Sequence, residues 1–263
     1  MFNGEMNPQA HSEAAPAPVM PGAEPFFYPA GETGCLLIHG FGGSPQGLRQ
    51  MGQYLAGAGI TALGVRLHGH GTRLEEMHRC SYGDWVASAE EGLRELNTRC
   101  RRVFVAGISM GGAISLRLAR LHPAEIRGAI AICTPYDLPL WMKILLPPLK
   151  HVIKEIPLPG RSTRDPAVIE VNYPRASLPA AHQLMQLLAR VRQDLPHVTV
   201  PVLLIASRHD SVVHYKNAAL LQAALGSAVK EVFWLENSDH MATLDYDKEL
   251  LFAKALSFIN AYK

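Results

Sequence analysis

The 263-residue chain has no block of Lys or Arg: its 25 basic and 23 acidic residues are scattered, and the formal charge is only +2. Nothing in it tracks a phosphate backbone, so no nucleic acid partner is expected. No apolar run reaches the roughly 18 uncharged residues that a membrane-crossing helix needs, so no stable membrane insertion is expected. No Lys or Arg precedes Arg49, and residues 1 to 25 are interrupted by Pro, Glu and Asn. That leaves no visible export signal. The four cysteines, Cys35, Cys80, Cys100 and Cys133, form no C-x-x-C pair, and Cys35 and Cys133 sit in or beside apolar runs. Free buried thiols in a reducing, cytoplasmic setting are the expectation, with the even count leaving disulfides open. No internal repeat occurs, which excludes a solenoid or a propeller.

What is present is the composition of an ordinary globular protein, 48% hydrophobic and 18% charged. The length suits one α/β domain with an insertion. Residues 1–24 are rich in Ala, Pro and Gly without hydrophobic period and read as a flexible arm. Beyond them, apolar runs predict strands at Cys35–His39, Thr61–Val65, Val103–Gly107, Gly128–Cys133, Val202–Ala206 and Lys230–Trp234. Three- and four-residue spacing predicts helices at Gln46–Ala58, Tyr82–Asn97, Met110–Leu121, His214–Leu225 and Asp247–Ala261. Strands separated by helices imply a mostly parallel central sheet covered by helices on both faces. The rhythm breaks between Cys133 and Val202, so 25–133 and 198–263 read as the core and 134–197 as an inserted cap. Leu140, Trp141, Ile144, Leu145, Leu146 and Leu149 in its first half, and Leu184, Leu187, Leu188 and Val191 in its second, make that cap apolar.

The chemistry concentrates at strand ends. Val103–Ala106 runs into Gly107-Ile108-Ser109-Met110-Gly111-Gly112 and then a helix. A G-x-S-x-G pattern between a strand and a helix presents a serine hydroxyl at the apex of a strained turn. Chance occurrence in a Gly-rich chain is the alternative, and the strand-helix context opposes it. The same turn places the Met110 N–H among the unpaired amides of a helix start. His39-Gly40-Phe41-Gly42-Gly43 ends the first strong strand, where a second amide, that of Phe41, completes an oxyanion hole; a plain strand-to-helix turn would also use glycine.

A serine hydroxyl needs a base, and the base needs a carboxylate that fixes its tautomer. Twelve histidines compete. His240 follows the last strand, at the carboxyl edge where open α/β sheets gather their sites. Asp210 follows the strand Val202–Ala206. The order Ser109, Asp210, His240 is that of α/β-hydrolases. Asp239 is the competing acid, but neighbouring loop side chains diverge; His209 is expected to face solvent. His68 and His70 lie in a glycine-punctuated loop and lack a carboxylate or cysteine at ligand spacing, so they read as structural and no metal is expected.

Together with Arg66-Leu67-His68-Gly69-His70-Gly71-Thr72, Asp84-Trp85-Val86, Asp210-Ser211-Val212-Val213 and His240-Met241-Ala242-Thr243-Leu244-Asp245, these motifs resemble the bacterial carboxylesterase and monoacylglycerol lipase group of the α/β-hydrolase superfamily. The similarity runs from about Cys35 to the C-terminus. It implies an eight-stranded type of core with a small cap, no metal or organic cofactor, and esters of short to medium acyl chains or monoacylglycerols as substrates. Pro139 to Pro166 departs from that pattern in being richer in Trp, Leu and Pro. Gly40, Trp141, Ile144, Leu145 and Met241 are the expected substrate contacts, and a monomer or homodimer is expected. An acyltransferase, a C–C bond hydrolase or a non-catalytic receptor on the same fold are the alternatives.

Overall fold

The computed structural model describes residues 17–158 and 162–263. The chain opens with β1 (Phe26–Tyr28), β2 (Thr33–Ile38), α1 (Gln46–Gly57) and β3 (Ile60–Val65), followed by a short α2 (Leu74–Met77) and α3 (Tyr82–Arg99). β4 (Arg102–Ile108), α4 (Met110–Leu121) and β5 (Ile126–Ile132) follow. The insertion holds α5 (Leu140–Leu149), β6 (Glu155–Pro157), β7 (Arg175–Ser177) and α6 (Leu178–Asp194). β8 (Val202–Ser207), α7 (Lys216–Ala224), β9 (Lys230–Leu235) and α8 (Lys248–Tyr262) complete it.

One seven-stranded sheet has the order β1-β3-β2-β4-β5-β8-β9, with β1 antiparallel to β3 and every other pairing parallel. The inner strands are buried on both faces, as parallel strands roofed by helices must be, and this is why their sequences are continuous apolar runs. Alternation sorts them between two cores. Val103 and Val105 of β4 face a cluster with Trp85 and Leu93 of α3 and Ile114 of α4, while Phe104, Ala106 and Ile108 face Met51 of α1 and Phe252 of α8. α3 starts where it does because Ser81 and Asp84 form a reciprocal capping box.

Three features differ from expectation. The sheet has seven strands among the described residues, where the resemblance implied eight; residues 17–25 form no strand, and there the Met20 N–H is bonded to the Gly71 carbonyl (2.8 Å). Of the predicted arm, residues 1–16 lie outside the described residues. Residues 17–24 run along the core, where Ala23 is fully buried and the Glu24 carbonyl accepts from Arg49 (2.9 Å). The insertion, in turn, divides between two roles. Its second helix, α6, buries Leu187, Leu188 and Val191 in the same cluster as α3 and α4, so that half of it is core. α5 is the part that stands off, attached through Leu146 to Leu178 and Ala181.

Candidate active site

Ser109 closes β4 with φ 55° and ψ −119°; among the described residues only Cys133 shares a positive φ without being glycine. Strain of this kind costs about 1–3 kcal/mol and survives only where the surroundings over-determine it. Here they do. The Ser109 N–H donates to the Ile132 carbonyl of β5 (2.8 Å), and the Ser109 carbonyl already accepts from Gly112 (3.0 Å) and Ala113 (3.2 Å) of α4. A Cβ on Gly107 would collide with the Gly111 carbonyl, and one on Gly111 with the Ile38 carbonyl, so the turn admits only glycine there. The neighbouring loop comes close without that crowding: a Cβ on Gly40 would lie in ordinary contact, 3.4 Å from the Ser109 Cβ.

Because β4, β5, β8 and β9 are parallel neighbours, the residues after their last members share one edge of the sheet. That register brings Asp210 and His240 together, with His240 Nδ1 2.9 Å from Asp210 Oδ2. The other Asp210 oxygen accepts the N–H groups of Val212 (2.9 Å) and Val213 (2.6 Å), which fixes the carboxylate. Asp239 is turned elsewhere: it accepts the Ser211 N–H (2.7 Å), the Ser211 hydroxyl (3.0 Å) and the His240 N–H (2.7 Å). It braces the Asp210 loop against the His240 loop. His209 is exposed.

Cys133, free and buried as its apolar setting predicts, completes a trio with Asp210 and His240 whose potential ligand atoms lie within 4.8 Å of one another. Burial, reinforced by the Asp210 charge, pushes its thiol well above the usual range, so it faces Asp210 as a neutral group. The only advance signal that it lies at the site was its place at the end of a strand next to that of Ser109.

Among the described residues neither the Phe41 N–H nor the Met110 N–H has a hydrogen-bond acceptor. Two amides left open beside the serine turn can receive a developing oxyanion. His39 shapes the first of these loops: its Nδ1–H donates to the Gly40 carbonyl (2.8 Å) and its Nε2 accepts the Leu67 N–H (3.1 Å). The second bond requires the neutral ring, because a protonated Nε2 cannot accept, and burial lowers its pKa from 6.5 to about 4. Between those values the unfolded chain binds a proton that the folded chain refuses. Stability therefore falls as pH drops from about 6.5 toward about 4, by about 3 kcal/mol from this ring. Urea unfolding across that range is expected to show the loss, and His39→Asn, less stable at neutral pH, is expected to show a shallower one; equal slopes would refute the assignment.

The His70 Nδ1–H donates to the His68 carbonyl (3.1 Å), so this ring too is used locally. It packs with Trp85 (5.7 Å) and Phe41 (6.4 Å). The Phe41 side chain also packs against the small cluster of Leu146 from α5 with Leu178 and Ala181 from α6. Trp141, Ile144 and Leu145 stand 63%, 62% and 53% exposed on α5, whereas Leu146 of the same helix is buried in the cluster that Phe41 packs against. Met241 is half-buried against α1, its Cε 3.0 Å from where a Gly47 Cβ would be.

The hydrolase family described as serine aminopeptidase, S33, matches residues 32–247. The chain belongs to this family. The hydrolase is 38% identical over 243 residues to a thermostable monoacylglycerol lipase of Bacillus sp. (strain H-257), covering 92% of this chain and 96% of that one. It is 25% identical over 237 residues to a carboxylesterase of Bacillus subtilis (strain 168), covering 90% and 96%. A solved structure from the metagenome-derived lipolytic enzymes LipS and LipT superposes with a TM-score of 0.89 at 38% identity, covering 93% of the hydrolase and 100% of that chain. A monoacylglycerol lipase of Paleococcus ferrophilus superposes with a TM-score of 0.79 at 18% identity, covering 91% and 99%. Among the described residues no helix is long and apolar enough to cross a membrane.

Proposed function

We infer that the hydrolase cleaves carboxylic esters, with monoacylglycerols and medium-chain esters as its substrate class, through an acyl-enzyme on Ser109. The observation that carries the chemistry is the 2.9 Å contact of His240 Nδ1 with Asp210, on the sheet edge that also holds the strained Ser109 turn. With Nδ1 committed to the carboxylate, Nε2 is the nitrogen left for the serine proton.

In this reading the Ser109 oxygen attacks the ester carbonyl as its proton passes to His240 Nε2. The carbonyl electron pair moves onto oxygen, which the Phe41 and Met110 amides receive. Collapse of that intermediate breaks the C–O bond, and the alcohol leaves with the proton from His240. Water then repeats the sequence on the acyl-enzyme and releases the acid. Asp210 stays ionised throughout and stabilises the imidazolium.

The substrate class rests on the 38% identical monoacylglycerol lipase and on the apolar α5 above the oxyanion loop. Each methylene withdrawn from water adds roughly 0.8 kcal/mol, close to fourfold in affinity. kcat/KM for p-nitrophenyl esters is therefore expected to rise up to about fifteenfold with each added pair of carbons until it reaches a plateau, and monoacylglycerols to be turned over. A flat profile would discard an acyl channel. Product analysis with added glycerol separates hydrolysis from acyl transfer.

A further inference from the structure

Asp245 lies five residues after His240 and is 1% exposed. A carboxylate so deeply placed must be compensated, and here all of the compensation is backbone. Its Oδ2 accepts the N–H groups of Arg164 (2.8 Å) and Asp239 (2.8 Å); its Oδ1 accepts those of Asp165 (3.0 Å) and Tyr246 (2.9 Å). Two of the four donors belong to the insertion and one is the residue immediately before His240. On the other side of His240, the Met241 N–H donates to the Ser162 carbonyl of the same inserted segment (2.9 Å). The backbone on both sides of the imidazole is therefore tied to residues 162–165, directly at Met241 and through one carboxylate at Asp239.

We propose that Asp245 is a positioning residue: it locks the His240 loop to the returning end of the insertion, so that the base is in place only while that segment is docked. This rests on the assignment of His240 as the general base. No neutral side chain of the same size can do the same work. Asparagine keeps one accepting oxygen and turns an NH2 group toward two N–H donors, so either orientation loses two bonds and sets donors against donors. The bonds to the insertion and to the His240 loop share these oxygens, so both are disturbed at once. A shift of the order of 1 Å in a catalytic group costs about 100-fold in rate.

The test uses the full-length protein. Asp245→Asn is compared with Leu93→Ala, a cavity in the buried face of α3 that lowers stability without touching the site. At a temperature where both variants are folded, Asp245→Asn is expected to lose about 100-fold in kcat on p-nitrophenyl butyrate and to displace the acid limb of the kcat/KM profile, while Leu93→Ala keeps both. Wild-type kcat and an unmoved pH profile in folded Asp245→Asn would reduce the residue to a structural one and overturn the proposal. For a variant that does not fold, hydrogen exchange on the wild type decides. The amides of Arg164, Asp165 and Asp239 are expected to open together, and insertion amides exchanging 100-fold faster than that of Asp239 would overturn it. Failure of the base assignment itself is read separately, from a His240→Ala enzyme that remains active.

Discussion

Replacing Ser109 by Ala is expected to cut kcat for any ester by about 10⁴- to 10⁶-fold while leaving the circular dichroism spectrum unchanged. The size follows from what the hydroxyl does: without it there is no acyl-enzyme, and the two amides and the binding surface retain only a small acceleration over water. The fold should hold because the turn is secured by backbone bonds, from the Ser109 N–H to Ile132 and from α4 to the Ser109 carbonyl, none of which uses the hydroxyl. A fluorophosphonate probe gives a second readout, since it marks only an activated serine. The wild type is expected to be labelled and the variant to stay unlabelled. Turnover at the wild-type rate by Ser109→Ala, or probe attached to another serine, would remove the nucleophile assignment.

Asp210→Asn is the second large effect, a fall of about 10⁴-fold in kcat at neutral pH. An amide can offer its NH2 to His240 Nδ1, which stabilises the tautomer whose Nε2 carries the proton and therefore has no lone pair for the Ser109 hydroxyl. It also withdraws the negative charge that steadies the imidazolium. The matching change at Asp239 separates the two acids. Asp239 spends its oxygens on Ser211 and on the His240 backbone, so Asp239→Asn loosens the loop without altering the ring's tautomer. A loss on the order of tenfold is expected there. Equal losses in the two variants would put the orienting role in doubt.

Much of the frame was legible because its signals are local. The strand runs, the helix beginning at Met110 and the glycine-flanked serine each follow from residues within a few positions of one another, and the structure places those elements within two residues of the predicted bounds. β1 and β6–β7 escaped notice because three-residue strands carry no usable period, and their pairing is set by partners far along the chain. The spacing assigns α6 to the cap because its apolar stripe identifies a buried face without naming what buries it. That face meets α3 and α4, a pairing no spacing within residues 178–194 encodes.

By itself, the sequence determined the doubly covered parallel sheet and which loops end at its carboxyl edge, since hydrophobic period and chain order suffice for both. It favoured Asp210 as the orienting acid over its competitor Asp239, on the argument that neighbouring loop side chains diverge. Only the tertiary structure decided how their oxygens are used, because hydrogen bonds at 2.6–2.9 Å depend on directions that residue order does not carry. The same holds for Cys133 beside Asp210, for Phe41 packed against the cluster that joins α5 to α6, and for the single Asp245 carboxylate on which an insertion eighty positions away meets the histidine loop. Those contacts join segments that share no sequence neighbourhood, and they exist only once the sheet has brought its loops to one edge.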